Sequence, residues 1–255
     1  MTSDDIPAKG DISFGSVRLN RFLASCGLGS RRGVERLVRD GRVYVNGVMA
    51  CSPGARVEPA KDRVAVDGKE VRPTKKVSIV VNKPPGCVCS LRDRFNPTVF
   101  DGLPVKFHDM GLFPVGRLDR ETEGLLILTN DGDLAQKIMH PGGGVTKTYE
   151  IYTKDSVADA AVSKLKAGAV LDGRLVRPVD AAPVHRTPGG STISVTVSEG
   201  LKREVRRLAD AAGIHVSRLV RKRIGLMQLE KLPRGSFSEV QAEKLLKMIR
   251  SGGKI

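Results

Sequence analysis

The sequence predicts an α+β protein made of a small basic N-terminal part and a larger C-terminal part. Beyond residue 76, strand-like segments are interspersed with helices but do not alternate regularly with them, which argues against a doubly wound fold. The net charge of +15 is concentrated at the N-terminal end, where residues 16–76 carry 14 Lys and Arg against 6 Asp and Glu. A basic segment that contains proline, VRPTKK (71–76), separates the two parts.

The N-terminal part begins with a polar stretch, residues 1–15, whose lack of periodicity predicts a flexible tail. Apolar residues then recur at helical spacing in RLNRFLAS, and Ser30 is the expected N-cap of a second helix, SRRGVERLVRD. Asn46-Gly47 and Asp67-Gly68 are the dipeptides that most strongly indicate β-hairpin turns. Two short helices and a few strands therefore occupy residues 16–76.

The second helix carries a cluster of arginines with few acids to balance them. The members of the cluster are Arg31, Arg32, Arg36 and Arg39. A solvated helix face would explain some of these arginines, but a phosphate-binding face explains all of them. A polyanionic partner is the physical expectation for a chain with a pI near 10.0.

The C-terminal part, residues 77–250, shows four clear strand patterns and four clear helical patterns. The strands are KVSIVVN, LLILT, KTYEIYT and STISVTV, and the helices are DLAQKIMH, DSVADAAVSKLKAG, LKREVRRLADAAG and FSEVQAEKLLKMIR. Residues 251–255 are expected to be a tail. A second basic cluster begins in the third of these helices and continues beyond it, and its eight members are Lys202, Arg203, Arg206, Arg207, Arg218, Arg221, Lys222 and Arg223.

Several classes of site and location have no support in the sequence. The four cysteines and four histidines lack metal-ligand spacing, and no Gly-x-Ser-x-Gly motif is present. GLGSRRG and GGGVTKT both depart from nucleotide-binding loops. We therefore expect no metal and no cofactor. No apolar run approaches a membrane span, and MTSDDIPAKG does not resemble a signal peptide, which favours the cytoplasm.

One carboxylate stands out in GRLDRETEGLLILTND (116–131). Asp119 lies on a loop that leads into an apolar strand, and Arg117 would project to the same side of an extended segment and favour its ionisation. A helix cap or a surface salt bridge is the ordinary alternative for such an Asp. Tyr149 in KTYEI is a second candidate, for which a core position is the ordinary alternative.

Two resemblances to known families follow from these motifs. RLNRFLASCGLGSRRGVERLVRDGRVYVNG resembles the S4 RNA-binding domain along its whole length. GRLDRETEGLLILTNDG resembles the catalytic segment of pseudouridine synthases that modify ribosomal RNA, and NKPPG, KTYEI, EGLKREVRRL and RIG follow in the order of that family. Leu201 and Lys202 depart from its pattern, which more often has a basic residue followed by Asn.

The resemblance implies a mixed, mainly antiparallel sheet with an active-site cleft, preceded by an S4 domain. It also implies that Asp119 is the catalytic residue, which either attacks or deprotonates the ribose of the target uridine. Tyr149 would pack on the flipped base, and Arg206 would pair with Asp119 and support its ionisation. The expected partner is ribosomal RNA, bound by a monomer without a cofactor or metal.

Contacts to the RNA backbone are expected from eight basic residues of the two domains. They are Arg18, Arg31, Arg32, Arg36, Lys83, Lys202, Arg203 and Arg207. Two other classes of protein compete with this interpretation. A non-catalytic RNA-binding or assembly protein would not need Asp119, and a methyltransferase or tRNA synthetase with an S4 domain would need a cofactor or nucleotide loop.

Overall fold

The computed structural model describes residues 15–255, and the chain divides into two compact units between Lys75 and Lys76. This division lies one residue before the boundary expected from the sequence. The tail predicted at residues 1–15 lies, except for Gly15, outside the described residues. Each unit has its own hydrophobic core, as an independent domain requires.

The first unit contains two helices and six short strands. Its helices are α1 (Leu19–Ser25) and α2 (Arg31–Arg39), and its strands are β1 (Val17–Arg18), β2 (Val43–Val45), β3 (Val48–Met49), β4 (Arg56–Val57), β5 (Val64–Val66) and β6 (Lys69–Glu70). β1 pairs with β4, and the other four strands form an antiparallel sheet in the order β3-β2-β5-β6. The expected helices and hairpins are therefore present.

Local sequence explains the shape of this unit. The Ser30 side chain accepts a hydrogen bond from the Gly33 N–H at 3.1 Å and caps α2, as expected. Asn46 and Asp67 both adopt the left-handed conformation at the first central position of a two-residue turn, with φ of 52° and 50°. Val34 and Val38 of α2 are buried in the core, so the arginines between and around them face solvent.

The second unit is a mixed sheet with helices packed against it. Its helices are α3 (Gly132–Met139), α4 (Asp159–Ala167), α5 (Glu204–Ala211) and α6 (Ala242–Ser251). Its strands are β7 (Ser78–Lys83), β8 (Phe113–Pro114), β9 (Glu123–Thr129), β10 (Lys147–Tyr152), β11 (Ala169–Leu171), β12 (Arg174–Val176), β13 (Asp180–Thr187), β14 (Gly190–Val197), β15 (Arg218–Ile224), β16 (Met227–Gln228), β17 (Phe237–Glu239) and β18 (Gly253–Lys254).

The main sheet runs in the order β13-β14-β10-β15-β9-β7-β17. Neighbours along this path are antiparallel except β15 and β9, which are parallel through Val220↔Glu123 and Arg221↔Gly124. The short strands β8 and β16 pair with β9 and β15. The sheet is thus mixed and mainly antiparallel, and the α+β fold class is confirmed.

β9 is the centre of the second unit, and every one of its residues is buried. Because side chains alternate along a strand, Leu125 and Ile127 pack into one hydrophobic cluster, and Leu126 and Leu128 pack into another. The strand expected at LLILT is therefore covered on both faces. Its N-terminal end follows directly on the loop that carries Asp119.

The tail predicted at residues 251–255 is wrong. Ser251 ends α6, and β18 pairs in parallel with β16 through Met227↔Gly253 and Gln228↔Lys254. The Ile255 side chain packs against the hydrophobic cluster that contains Ile127, so this short segment completes the sheet. The pairing could not be predicted from periodicity, because β18 has only two residues and begins with a glycine.

Candidate active site

Asp119 lies on the loop between β8 and β9, where the chain around it is held in place. Leu118, directly before it, is buried in the core. The carbonyl of Asp119 accepts a hydrogen bond from the Thr122 N–H at 3.0 Å, which closes a tight turn. Asp119 itself is partly exposed, so its carboxylate is available to a ligand while its backbone is fixed.

The Lys83 side chain holds this loop in place through hydrogen bonds to its backbone. The predicted contact of Lys83 with RNA is therefore wrong. The side chain is fully buried, and its Nζ donates to the carbonyl oxygens of Pro84 at 2.9 Å, Arg120 at 3.1 Å and Thr122 at 2.9 Å. Burial lowers the pKa of Lys83, while nearby Cys and Glu side chains oppose this shift. The three carbonyls take the place of water around the ammonium group.

Glu123 fixes the start of β9 at the end of the same loop. Its buried carboxylate accepts two hydrogen bonds from Arg218, at 2.8 and 3.0 Å, and forms an ion pair with Arg234 at 3.0 Å. A buried carboxylate of this kind needs such partners, because its desolvation is otherwise costly. The loop is thus anchored by Leu118, Lys83 and Glu123.

The candidate residues Arg117, Asp119, Tyr149 and Arg206 line one cleft of the second unit. Other residues line it beside them, among them Thr122, Leu201, Arg203 and Leu219. The loop before β9 supplies Arg117, Asp119 and Thr122, β10 supplies Tyr149, and the N-terminal end of α5 supplies Arg206. Segments distant in sequence therefore bring the predicted residues together.

Arg206 contacts the Asp119 loop without pairing directly with Asp119. Within the described residues, its Nη2 donates to the Thr122 hydroxyl at 3.4 Å, and its buried Nε has no hydrogen-bond partner. Burial and the neighbouring Arg203 lower the pKa of Arg206, and the charges of Asp119 and Glu121 oppose this shift. The predicted pair between Arg206 and Asp119 is absent from this arrangement.

Tyr149 stands over a buried arginine that the sequence had indicated only as a member of the basic cluster. Arg221 is 4% exposed, and its Nε donates to the Leu125 carbonyl at 2.7 Å. Its Nη1 donates to the Tyr149 hydroxyl at 3.4 Å, and its guanidinium lies 6.0 Å from the ring centroid. Only the pairing of β10 with β15 reveals this contact.

The remaining predicted RNA contacts fall into two groups. Arg18, Arg31, Arg32, Arg36 and Lys202 are exposed, and Arg36 also lies 3.5 Å from Asp40. On α5 and before it, Arg207 donates two hydrogen bonds to Asp172, at 2.9 and 2.8 Å, whereas Arg203 borders the cleft 3.9 Å from Glu121. Their contacts with RNA stay predictions.

Neither a metal cluster nor a membrane-spanning helix occurs within the described residues. Over residues 15–255, no group of three or more His, Cys, Asp or Glu side chains could hold a metal ion. No helix in this part of the chain is both long and apolar enough to cross a membrane.

Comparison with known proteins finds two family matches along this chain. The family described as RNA pseudouridylate synthase matches residues 77–211, and the S4 domain matches residues 17–63. A protein of Aquifex aeolicus named "Uncharacterized RNA pseudouridine synthase" is 38% identical over 93% of this chain and 95% of its own length.

A second relative and a solved structure extend the similarity. A protein of Vibrio vulnificus named "Ribosomal large subunit pseudouridine synthase B" is 38% identical over 88% of this chain and 72% of its own length. A structure titled "Crystal structure of pseudouridylate synthase" has a TM-score of 0.62 and 27% identity, and the match covers 90% of this chain and 99% of that one.

Proposed function

Because this chain belongs to the RNA pseudouridine synthase family, we propose that it converts a specific uridine of ribosomal RNA to pseudouridine, with Asp119 as the catalytic residue. The observation that carries the proposal is the cleft in which Asp119, Tyr149 and Arg206 meet. Relatives whose names specify the large ribosomal subunit, at 35% and 38% identity, support ribosomal RNA as the substrate.

The reaction is an isomerisation within one nucleotide. The C1′–N1 bond of the uridine breaks, a C1′–C5 bond forms, and the hydrogen leaves C5 while N1 gains one. No atom is gained or lost, so the reaction requires no oxidant or reductant. The enzyme must expose the nucleotide, hold the freed base near C1′ and let it turn, which calls for a shaped cleft.

Each cleft residue has a role that suits its position. An ionised Asp119 carboxylate attacks C1′ or removes a proton from the ribose, and both alternatives need a fixed, deprotonated carboxylate. Arg206 supplies positive charge beside the Asp119 loop, where its guanidinium and the Asp119 carboxylate attract each other. Tyr149 packs against the base, and Arg117, which lines the same cleft, supports the active site beside Asp119.

The S4 domain assists binding, because its exposed arginines can contact phosphates outside the cleft. We further propose that the protein acts as a monomer in the cytoplasm, on ribosomal RNA alone or within an assembly intermediate. These three features are predictions from the substrate class and the sequence. Light scattering and cell fractionation are the measurements that check oligomeric state and location.

Replacing Asp119 with Asn tests the proposed chemistry. The amide keeps size and polarity but removes the charge, so pseudouridine formation on transcripts of both ribosomal RNAs should fall below about one per cent of wild type. RNA affinity should hold or rise slightly, because a charge that repels phosphate is removed. Carbodiimide mapping measures the product, and a filter assay measures binding.

Asp210→Asn is the matched control, since Asp210 is an exposed acid on α5. This variant should react like the wild type. Turnover above a few per cent in Asp119→Asn would refute the catalytic role of Asp119. A wild-type protein that binds ribosomal RNA but forms no pseudouridine would instead favour the non-catalytic alternative.

A further inference from the structure

An exposed loop, residues 90–97, projects from the second unit and is closed at its base. Val88 and Thr98 pair across this base as an isolated bridge. The Val88 N–H donates to the Pro97 carbonyl at 2.9 Å, and the Val99 N–H donates to the Val88 carbonyl at 3.0 Å. The loop ends are thus fixed to each other, and we call this segment the 90–97 loop.

Hydrogen bonds within the 90–97 loop shape its tip. One carboxylate oxygen of Asp93 accepts from the Phe95 N–H at 2.9 Å, the Asn96 N–H at 2.8 Å and the Asn96 side-chain amide at 3.0 Å. The Ser90 hydroxyl donates to the Arg92 carbonyl at 2.8 Å. A side chain at this tip is therefore displayed on a defined turn.

The side chain displayed there is Phe95, which is 91% exposed. Aromatic residues are scarce in this chain, with 7 Phe, 3 Tyr and no Trp, and Phe22, Phe100 and Phe107 are all buried. Arg92 and Arg94 flank Phe95 and are also exposed. An aromatic face between two cations suits a nucleic acid, which offers bases for stacking and phosphates for ion pairing.

The base of the 90–97 loop is bonded to the residues on both sides of Asp119. The Gly86 N–H donates to the Arg120 carbonyl at 2.8 Å. The Leu118 N–H donates to Cys89 Sγ at 3.4 Å. The chain therefore enters the 90–97 loop directly beside the backbone that carries the catalytic carboxylate.

We propose that the 90–97 loop is an RNA-stacking element, in which Phe95 packs on an unpaired base near the target uridine while Arg92 and Arg94 contact flanking phosphates. This inference rests on the proposed function, because it takes the RNA of that reaction as its ligand. When the target uridine turns into the cleft, the bases on either side of it in the RNA lose a stacking partner. An aromatic ring can stack on one of these bases instead. Such stacking tolerates any base, since every base has a π-face.

Affinity measurements on the full-length protein give the first test. In an Asp119→Asn background, Phe95→Ala and Phe95→Leu should weaken binding to ribosomal RNA transcripts about tenfold, which corresponds to the removal of one stacked base. Phe95→Trp should bind like the parent. Leu226→Ala is the control, because Leu226 is 57% exposed in the turn between β15 and β16. All four variants should melt at the parent temperature.

The absence of tryptophan from this chain allows a direct second test. The single Trp of Phe95→Trp should be quenched when the RNA binds, because a stacked base quenches indole fluorescence, whereas the Trp of Leu226→Trp should not. Equal affinity of Phe95→Ala and the parent, or an unquenched Trp at position 95, would overturn the proposal and indicate a different partner, such as a protein, for this loop.

The binding measurements do not depend on turnover, so the two proposals fail separately. An active wild-type enzyme without stacking at Phe95 refutes only the role of Phe95. If the wild-type protein forms no pseudouridine while Phe95→Trp shows the quench and Phe95→Ala shows the tenfold loss of affinity, only the reaction is refuted. Both measurements therefore support or contradict the stacking element, whatever the reaction proves to be.

Discussion

At the scale of single residues, the hydrogen bond between Tyr149 and Arg221 can have only one direction. A guanidinium has donors and no acceptor, so the Tyr149 oxygen must accept from Arg221. The phenolic hydrogen is then free to point toward another acceptor, and the cleft that Tyr149 lines is where a substrate base would offer one. Arg221 is therefore expected to act as a positioning residue for Tyr149.

A double-mutant cycle checks this role of Arg221. Arg221→Lys keeps the buried charge but cannot reach both the Leu125 carbonyl and the Tyr149 hydroxyl, so the single-turnover rate should fall about tenfold. In a Tyr149→Phe background, where the hydroxyl is absent, the same change should cost less than about threefold. Equal losses in both backgrounds would mean that Arg221 acts through Leu125 and the sheet alone.

The burial of cationic side chains such as Lys83 could not be predicted from the sequence. Motif order and charge were enough to select four residues that line one cleft: Arg117, Asp119, Tyr149 and Arg206. Lys83 was expected to contact the RNA backbone, and full burial of a lysine is rare. The carbonyl of the adjacent Pro84 and two carbonyls of the Asp119 loop, from Arg120 and Thr122, compensate for its burial, and no local pattern encodes the meeting of Lys83 with that distant loop.

At the scale of elements, the parallel pairing of β9 with β15 positions the site residues. β9 follows the Asp119 loop, and β15 contains Arg221. The two backbones approach closely at Gly124, where an added Cβ would lie 2.4 Å from the Arg221 carbonyl oxygen. Gly124 also has a φ of 104°, which other residues rarely adopt. A side chain at position 124 would therefore separate the strands.

Gly124→Ala should lower the free energy of unfolding of the second unit by about 2 to 4 kcal/mol, from backbone strain and overlap together. Urea denaturation followed by circular dichroism measures this decrease. Gly132→Ala is the matched control, because a Cβ there meets open space at the start of α3, and its effect should stay within about 0.5 kcal/mol. Similar decreases in the two variants would show that the close approach is not what Gly124 provides.

Periodicity in the sequence predicted that β9 is a buried strand, but it could not predict which strand pairs with it. The apolar run in β9 predicted a buried strand, and both of its faces are indeed covered by hydrophobic clusters. Its partners were not predictable, because the pairing of β9 with β15 joins segments that are far apart in the sequence. The short strand β18 was missed for a related reason, since so short a segment carries no periodic signal.

At the scale of the whole molecule, the uneven distribution of charge predicts how salt affects RNA binding. The cluster Arg31, Arg32 and Arg36 is exposed on α2, in the unit that matches the S4 domain. Each phosphate bound releases counterions, so the logarithm of the binding constant falls with the logarithm of salt concentration by about 0.7 to 0.9 per phosphate. A change in this slope on mutation therefore measures how many phosphates the mutated residues bind.

Changing Arg31, Arg32 and Arg36 together to Gln should weaken binding to ribosomal RNA and make this slope shallower by about 2, because the three side chains no longer neutralise phosphates. The chemical step at saturating enzyme should keep its rate, since none of the three residues lines the cleft. Filter binding at a series of salt concentrations and single-turnover kinetics give the two values.

The control for this variant removes the same charge from another exposed helix face, by changing Lys244, Lys247 and Arg250 of α6 to Gln. If α2 binds phosphate directly, the α6 variant should keep its slope within about 0.5, because distant surface charges are largely screened at physiological salt. Equal slopes for both triple variants would mean that overall charge attracts the RNA and that the arginines of α2 form an ordinary solvated face. A lower single-turnover rate confined to the α2 variant would instead mean that the S4 domain also positions the target uridine for the chemical step.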